Sequence, residues 1–245
     1  MSAQAKVALI SGANKGIGLE TARQLGKQGM TVLLGARDLA KGEAAAAKLQ
    51  TEGIDARAVK LDVVNAAEVK AVAKKIEKEF GVLDILVNNA GVMTETMGVN
   101  SAPTISEQDL RYTFETNLFA VVAMTQAVLP LLKKSKAGRI VNVSSILGSL
   151  TLQATPGSPT HGVKSFAYNT SKAALNSFTI HLADALKDTK IKVNSAHPGW
   201  VKTDLGTDAA PMNVVDGAKT EVTLATLPED GPTGGYFHLG ETLPW

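Results

Sequence analysis

The stretch Lys6–Gly18, KVALISGANKGIG, decides how the rest of the chain is read. Lys6–Ile10 is a short apolar run without alternation, as a parallel strand covered on both faces would be. It stops at Ser11-Gly12. Ile17, Thr21 and Leu25 then recur at helical spacing as far as Gln28, with Gly29 suited to the helix end. A turn of the form G-x-x-x-G-x-G, built on Gly12, Gly16 and Gly18, therefore joins a strand to a helix. Glycines let such a turn bend tightly and approach a pyrophosphate, and the free N–H groups of the helix start favour its charge. The spacing differs from the commoner G-x-G-x-x-G, and a turn of this kind can also join strand to helix without holding any ligand.

Outward from that turn, the pattern alternates. Strands are expected at Thr31–Leu34, Ala56–Leu61, Leu83–Val87, Arg139–Val143, Lys190–Ala196 and Gly235–Leu239. Between them, helices run from an Asp38 cap to Gly53, over Asn65–Phe80 with Gly81 at the end, from Ser106 to about Lys134, and over Phe166–Leu186. Strands separated by helical crossovers imply α/β architecture: a doubly wound parallel sheet, the Rossmann fold, with helices on both faces. No repeat, low-complexity tract or linker divides the chain, so one domain is expected over residues 1–245.

Composition narrows the function classes. With 44% hydrophobic and 20% charged residues, the 245-residue chain can bury a large core. A formal net charge of +2 argues against nucleic acid or an acidic membrane as partner. The absence of cysteine excludes disulfides, thiolate zinc sites and a cysteine nucleophile, and is compatible with a reducing compartment. The start, MSAQAKVALISG, meets glycine too early for a secretory signal, and Thr125, Gln126 and Pro130 interrupt the apolar stretch Leu118–Leu132. A soluble cytoplasmic protein is expected. His161, His181, His197 and His238 lack ligand spacing, so no metal is expected and structural or exposed roles fit them better.

Two further places carry chemistry. The second strand runs into Leu34-Gly35-Ala36-Arg37, where an NAD enzyme would place an acid for the ribose hydroxyls. A guanidinium stands there instead, and Lys15 adds a second cation from the glycine turn. Two cations and no acid suit the 2′-phosphate of NADP(H); a solvated charge at a helix start is the plainer reading of Arg37. The other place is Ser165–Leu175, SFAYNTSKAAL, where Tyr168 and Lys172 stand four apart on one helix face. A nearby ammonium would move a phenol towards proton exchange near neutral pH, although most such pairs are ordinary surface neighbours.

Together with Asn88-Asn89-Ala90-Gly91 after the fourth strand and Pro198-Gly199 after the sixth, these motifs make the sequence resemble the short-chain dehydrogenase/reductase family, from Val7 to about Thr203. The resemblance implies a catalytic set of Asn117, Ser145, Tyr168 and Lys172, with Ser145 taken over Ser144 because the family uses the second serine of such a pair. It implies a carbonyl reduced by NADPH, with Tyr168 as proton donor and Ser145 orienting the substrate oxygen. By the same resemblance, Lys172 would lower the Tyr168 pKa and hold the nicotinamide ribose, while Asn117 would support a water leading from Lys172 to solvent. Cofactor contacts are implied at Gly12, Asn14, Lys15, Gly16, Ile17, Gly18 and Arg37. Asp62 and Val63 would lie at the adenine, Asn89, Ala90 and Gly91 along the ribose, and Pro198, Gly199, Val201 and Thr203 towards the carboxamide.

Ser145 and Tyr168 stand further apart than is usual in the family, and the extra segment, about 150–164, is expected to be a loop. With the ending Gly234–Trp245 it points to carbonyl-reductase-like members. Substrate loops are expected at about 92–103, 146–165 and 203–227, offering Met93, Met97, Leu147, Leu150, Leu152, Leu205 and Met212 to a hydrophobic ketone or aldehyde. These residues could equally pack beneath their own loops. A ketoacyl-thioester reductase, an NAD(P)-linked secondary-alcohol dehydrogenase and a nucleotide-sensing protein on the same fold are the other readings. The inserted segment tips the expected oligomeric state slightly towards a monomer.

Overall fold

The computed structural model describes residues 5–95 and 102–245. Seven strands run parallel: β1 (Val7–Ser11), β2 (Thr31–Ala36), β3 (Ala56–Lys60), β4 (Ile85–Asn88), β5 (Arg139–Val143), β6 (Lys192–Ala196) and β7 (Tyr236–His238). An eighth, β8 (Glu241–Thr242), pairs antiparallel with β7. The order is β3-β2-β1-β4-β5-β6-β7-β8. The chain winds outward from β1 to β3, then crosses back to place β4 on the other side of β1. The loops leaving β1 and β4 therefore part in opposite directions, opening a crevice at the strand ends.

Both faces of the sheet are covered. Ala8, Ile10, Val32 and Leu34 point to one side, where they pack with α1 (Gly16–Lys27), α2 (Leu39–Thr51) and the later helix α9 (Lys219–Ala225). Val7, Leu9, Leu33 and Val59 point to the other, against α3 (Ala66–Phe80), α5 (Ala120–Leu132) and α7 (Phe166–Ala185). This alternation explains why the inner strands read as unbroken apolar runs: neither face meets water. The helix starts lie where the caps predict. Asp38 accepts from Lys41 N at 3.2 Å, Asn65 from Ala67 N at 3.0 Å and Ser106 from Asp109 N at 3.0 Å. Gly81 ends α3 at φ 73°, a conformation other residues resist.

The structure corrects four local expectations. The helix expected from Ser106 to Lys134 is three pieces: α4 (Glu107–Phe114), a π-helical turn at Glu115–Phe119, and α5. Its run from Glu107 to Leu132 is long and apolar enough to cross a membrane, but half of its most apolar stretch is buried here, with α5 packed on the sheet. The segment expected to be a loop over 150–164 holds α6 (Leu150–Ala154), capped by Ser149 accepting from Leu152 N at 3.1 Å and following a 3₁₀ turn at Ile146–Gly148. The stretch 203–227 contains α8 (Val214–Gly217), capped by Asn213, and α9. Strand β8 returns through Leu239-Gly240, both at positive φ, and leucine is an unusual residue for that turn.

Glu221 is a charge-bearing group inside this core. It is fully buried on α9, where Thr21 Oγ1 of α1 donates to its Oε2 at 2.7 Å, and its Oε1 has no partner among the described residues. Burial pushes its carboxyl up to about 8, against the Thr21 bond and the field of Lys172. The native protein thus keeps Glu221 protonated at neutral pH, whereas the unfolded chain ionises it near the ordinary 4.5. Its contribution is intact below that ordinary value and is lost as pH rises towards the folded one. Glu221→Gln is therefore expected to leave stability unchanged at about pH 4 and to raise it by roughly 1–3 kcal/mol at about pH 8. Thermal melts at both pH values check this; equal shifts at the two would mean that the carboxyl does not titrate between them.

Candidate active site

The crevice at the ends of β1 and β4 is a cleft of about 1510 Å³. Its floor is tied together by side chains where the ladder stops. Ser11 Oγ accepts from Asn89 N and Ala90 N, both at 3.0 Å. Asn89 Nδ2 in turn donates to Ser11 O at 2.7 Å and to Gly12 O at 3.3 Å. Helix α1 starts directly against this knot: a Cβ on Gly18 would stand 2.4 Å from Asn89 Nδ2. Gly12 turns the chain at φ 65°. At the N-cap, Lys15 makes no side-chain capping bond, so the N–H groups of the first turn stay free to meet an anion. The turn therefore fits a pyrophosphate.

Each cofactor position expected from the sequence borders this one cleft, from Gly12, Asn14, Gly16, Ile17 and Gly18 through Asp62, Val63, Asn89, Ala90 and Gly91 to Pro198, Gly199, Val201 and Thr203. Arg37 lines it from the end of β2 and is exposed. Lys15 differs from expectation, because its ammonium is paired with Asp204 across the cleft. An acid does follow β2, one residue late. Asp38 lines the cleft, but its carboxylate caps α2 and lies 3.8 Å from Lys41 Nζ.

The other end of the cleft gathers Ser145, Tyr168 and Lys172. Tyr168 and Lys172 project from the buried face of α7, and Ser145 follows β5. Lys172 Nζ donates to Val143 O at 2.7 Å and lies 5.7 Å from the centre of the Tyr168 ring. Gly148 presses on this helix so closely that a Cβ there would be 2.8 Å from the Lys172 carbonyl carbon. Burial dominates the electrostatics. It pushes the Tyr168 phenol up to about 12, with the Ser145 hydroxyl pulling the other way. It draws the Lys172 ammonium down to about 8, with Glu221 opposing. The i,i+4 spacing suggests that Lys172 sets the phenol; desolvation of both groups outweighs that pairing here.

Asn117 is fully buried in the π-helical turn and does not line the cleft. Its amide donates to Val92 O at 2.9 Å and to Ser171 Oγ at 3.0 Å, and its Oδ1 accepts from Val92 N at 2.8 Å. It clamps the segment after β4 onto α7. Asn117 Oδ1 and Lys172 Nζ each lie 3.4 Å from where a Cβ on Gly91 would be, so the two groups converge there.

Two buried groups at this site have no sequence signal. Glu95 Oε2 accepts from Tyr168 N at 2.8 Å, capping the helix start that Ser165 leaves without a side-chain bond. His197 sits behind Pro198. Tyr168 N and Ile146 N, which bond to Glu95 and His197, lie far along the chain from them, so no spacing marks these contacts. Of the expected substrate walls, Met93, Leu147 and Leu205 line the cleft. Leu150 is exposed, Leu152 is not among the lining residues, and Met212 packs behind Gly199. Met97 lies outside the described residues. Pro159 and Val163 line it from the expected 146–165 segment, and Tyr112 and Trp200, outside the expected loops, add to the wall.

Residues 6–213 match the family model of the short chain dehydrogenases. A relative from Homo sapiens, "Carbonyl reductase [NADPH] 1", is 35% identical over an alignment covering 100% of both chains. The NADPH-bound carbonyl reductase from chicken fatty liver superposes with a TM-score of 0.85 at 26% identity, over 99% of this chain and 100% of that one. Salutaridine reductase from Papaver somniferum gives 0.82 at 30% identity, over 95% and 99%. The chain belongs to the short-chain dehydrogenase/reductase family.

The contact between α1 and the strand knot is testable by itself. Gly18→Ala is expected to destabilise the fold by about 1–3 kcal/mol, the usual cost of forcing an atom into a packed site. In the Gly18→Ala/Asn89→Ala pair the clash with the Asn89 amide is removed and only the 3.0 Å approach to Gly12 O remains, so the double variant should be less destabilised than the two single effects added together. Urea denaturation of the four proteins measures this, and strict additivity would dismiss the contact.

Proposed function

We propose that this protein reduces the carbonyl of a ketone or aldehyde to an alcohol, with NADPH as cofactor. The observation that carries the reading is that Ser145, Tyr168 and Lys172 together line one end of the cleft whose far end is a phosphate turn. Full-length similarity to carbonyl reductases named for NADPH supports it. NADPH, when bound, supplies the hydride that the carbonyl carbon receives.

The protein's own groups act on the oxygen. Ser145 Oγ donates a hydrogen bond that orients it and stabilises its growing negative charge. Tyr168, with its pKa raised to about 12, holds its proton at neutral pH and is loaded as an acid. It passes that proton to the oxygen as the alkoxide forms. The resulting phenolate lies near the Lys172 ammonium, which is still mostly charged at neutral pH with a pKa of about 8. The convergence of Asn117 and Lys172 at Gly91 is the proposed start of the path that returns a proton from solvent.

Substrate choice follows from the wall. Met93, Leu147, Val163, Trp200 and Leu205 give this wall a largely apolar surface, with Lys202 and Asp204 bordering the cleft beside Leu205. A neutral, hydrophobic carbonyl compound suits that surface better than an anionic one. Arg37, unpaired among the described residues, is the proposed recogniser of the 2′-phosphate, with Lys15 joining it on release from Asp204. The proposed working form is one soluble cytoplasmic chain, without nucleic acid or membrane.

A panel of aldehydes, aromatic and cyclic ketones, diketones and ketoacyl thioesters, assayed by NADPH oxidation, tests the reaction. Tyr168→Phe is expected to lower kcat by at least ~10²-fold with NADPH affinity nearly unchanged, since only the transferable proton is removed. A variant retaining more than about a tenth of wild-type kcat would take the proton-donor role from Tyr168.

Arg37→Ala is expected to lower kcat/KM with NADPH by roughly 30-fold or more and to leave NADH use nearly unchanged, because a charge-assisted bond to phosphate is lost. Comparable losses with both cofactors would make Arg37 a structural charge.

A further inference from the structure

His197 follows β6 into the cleft wall, and neither the family motifs nor the proposed chemistry gives it a task. The ring is nearly buried. Its Nδ1 accepts two main-chain hydrogens, from Ile146 N at 3.2 Å and from Gly199 N at 3.3 Å. A ring nitrogen that accepts hydrogen bonds carries no proton, so the neutral ring holds its hydrogen on Nε2. Burial, reinforced by neighbouring His238, holds the His197 pKa down to about 3 and keeps the ring neutral. The two rings are 4.7 Å apart, and His238 Nδ1 lies 2.9 Å from the His197 carbonyl oxygen. That oxygen can only accept, so His238 carries its hydrogen on Nδ1.

The two donors belong to different walls of the site. Ile146 directly follows Ser145. Gly199 belongs to the Pro198-Gly199 turn after β6, at φ 93°. Strands β5 and β6 pair as far as Val143 and Ala196, and one more main-chain bond, Ser144 N to Ala196 O at 2.8 Å, closes the ladder. Beyond it the two segments separate, and among the described residues His197 Nδ1 still joins them. The turn is also backed from behind: a Cβ on Gly199 would lie 2.8 Å from Met212 Sδ and 3.2 Å from His238 Cε1.

We propose that His197 is a positioning residue whose unprotonated Nδ1 sets the distance between Ser145, which holds the substrate oxygen, and the Pro198-Gly199 turn, against which the nicotinamide end of the cofactor would rest. The assignment rests on the carbonyl-reductase reading of the site. Hydride transfer depends steeply on the separation of donor and acceptor, so a shift of one wall against the other should slow the reaction without weakening the grip on the phosphates.

Two variants separate the acceptor from the bulk of the ring. His197→Asn offers an amide oxygen close to the Nδ1 position, whereas His197→Leu keeps similar volume and leaves both N–H groups without a partner. The leucine variant is expected to lose about 10- to 100-fold in kcat, with the NADPH dissociation constant within about threefold of wild type. Its primary isotope effect with 4-deuterated NADPH should rise as hydride transfer becomes limiting. The asparagine variant should recover to within about fivefold of wild-type kcat. A folded leucine variant with wild-type kcat and isotope effect, or an asparagine variant as slow as leucine, overturns the proposal. Because the leucine variant could fail to fold, nitrogen NMR of ¹⁵N-histidine-labelled wild-type protein tests the bridge separately. An unprotonated Nδ1 and a protonated Nε2 at neutral pH are required, and the opposite tautomer or a doubly protonated ring overturns the bridge. If wild type oxidises NADPH with no carbonyl compound, the proposed reaction fails, while the NMR result still decides whether the bridge exists.

Discussion

The crossing of the chain from β3 back to β4 is the constraint on which the rest depends. It leaves two neighbouring strands, β1 and β4, whose loops must part, and a parting pair of strands exposes main-chain groups that the ladder no longer serves. Ser11 and Asn89 take up those groups, and the remaining space becomes the cleft. The side chain of Asn89 then limits what can stand opposite it, so the first turn of α1 passes it at a glycine, Gly18. A ligand-binding turn is in this sense a by-product of topology. The sheet must open somewhere, and the helix start placed at the opening has free N–H groups.

At the reacting end, burial and charge compete, and burial is the stronger effect. Tyr168 and Lys172 are both taken out of water, which penalises the phenolate and the ammonium alike. A phenol held protonated and an amine of about 8 are suited to giving a proton away and then steadying the anion left behind. The same interior raises Glu221 on the opposite face of the sheet. That carboxyl does not line the cleft, so a displaced pKa in this protein marks burial first and function only where geometry agrees.

The groups that hold the site in shape act over long sequence separations. Glu95 caps the helix of Tyr168 from the segment after β4, Asn117 pins that segment to α7, and His197 joins the β5 and β6 loops. Each is a buried polar side chain serving main-chain N–H or C=O groups left over where regular structure stops. Such places are frequent at this end of the sheet because every strand of the crevice terminates there. The apolar substrate wall, by contrast, is assembled from loops, and Tyr112 and Trp200 are half exposed on it.

Local chemistry was legible in the sequence. The apolar runs of β1, β2 and β4, the caps Asp38, Asn65 and Ser106, the glycine turn and the Tyr168–Lys172 pair are each determined by neighbours a few residues away, through periodicity, capping or backbone freedom. The resemblance to a known family then supplied the partners Ser145 and Asn117, whose positions no local pattern defines. Only the tertiary structure decided the rest. It made helices of 150–154 and 214–225, where short capped turns gain stability by packing against elements far along the chain. It added β8, which has two residues and an atypical turn. It paired Lys15 with Asp204, which stands far along the chain, so that pairing could not be read from the residues around either one. It also reversed the expected electrostatic order at Tyr168, because the cost of removing a charge from water depends on what surrounds it in space, and a linear sequence does not record that.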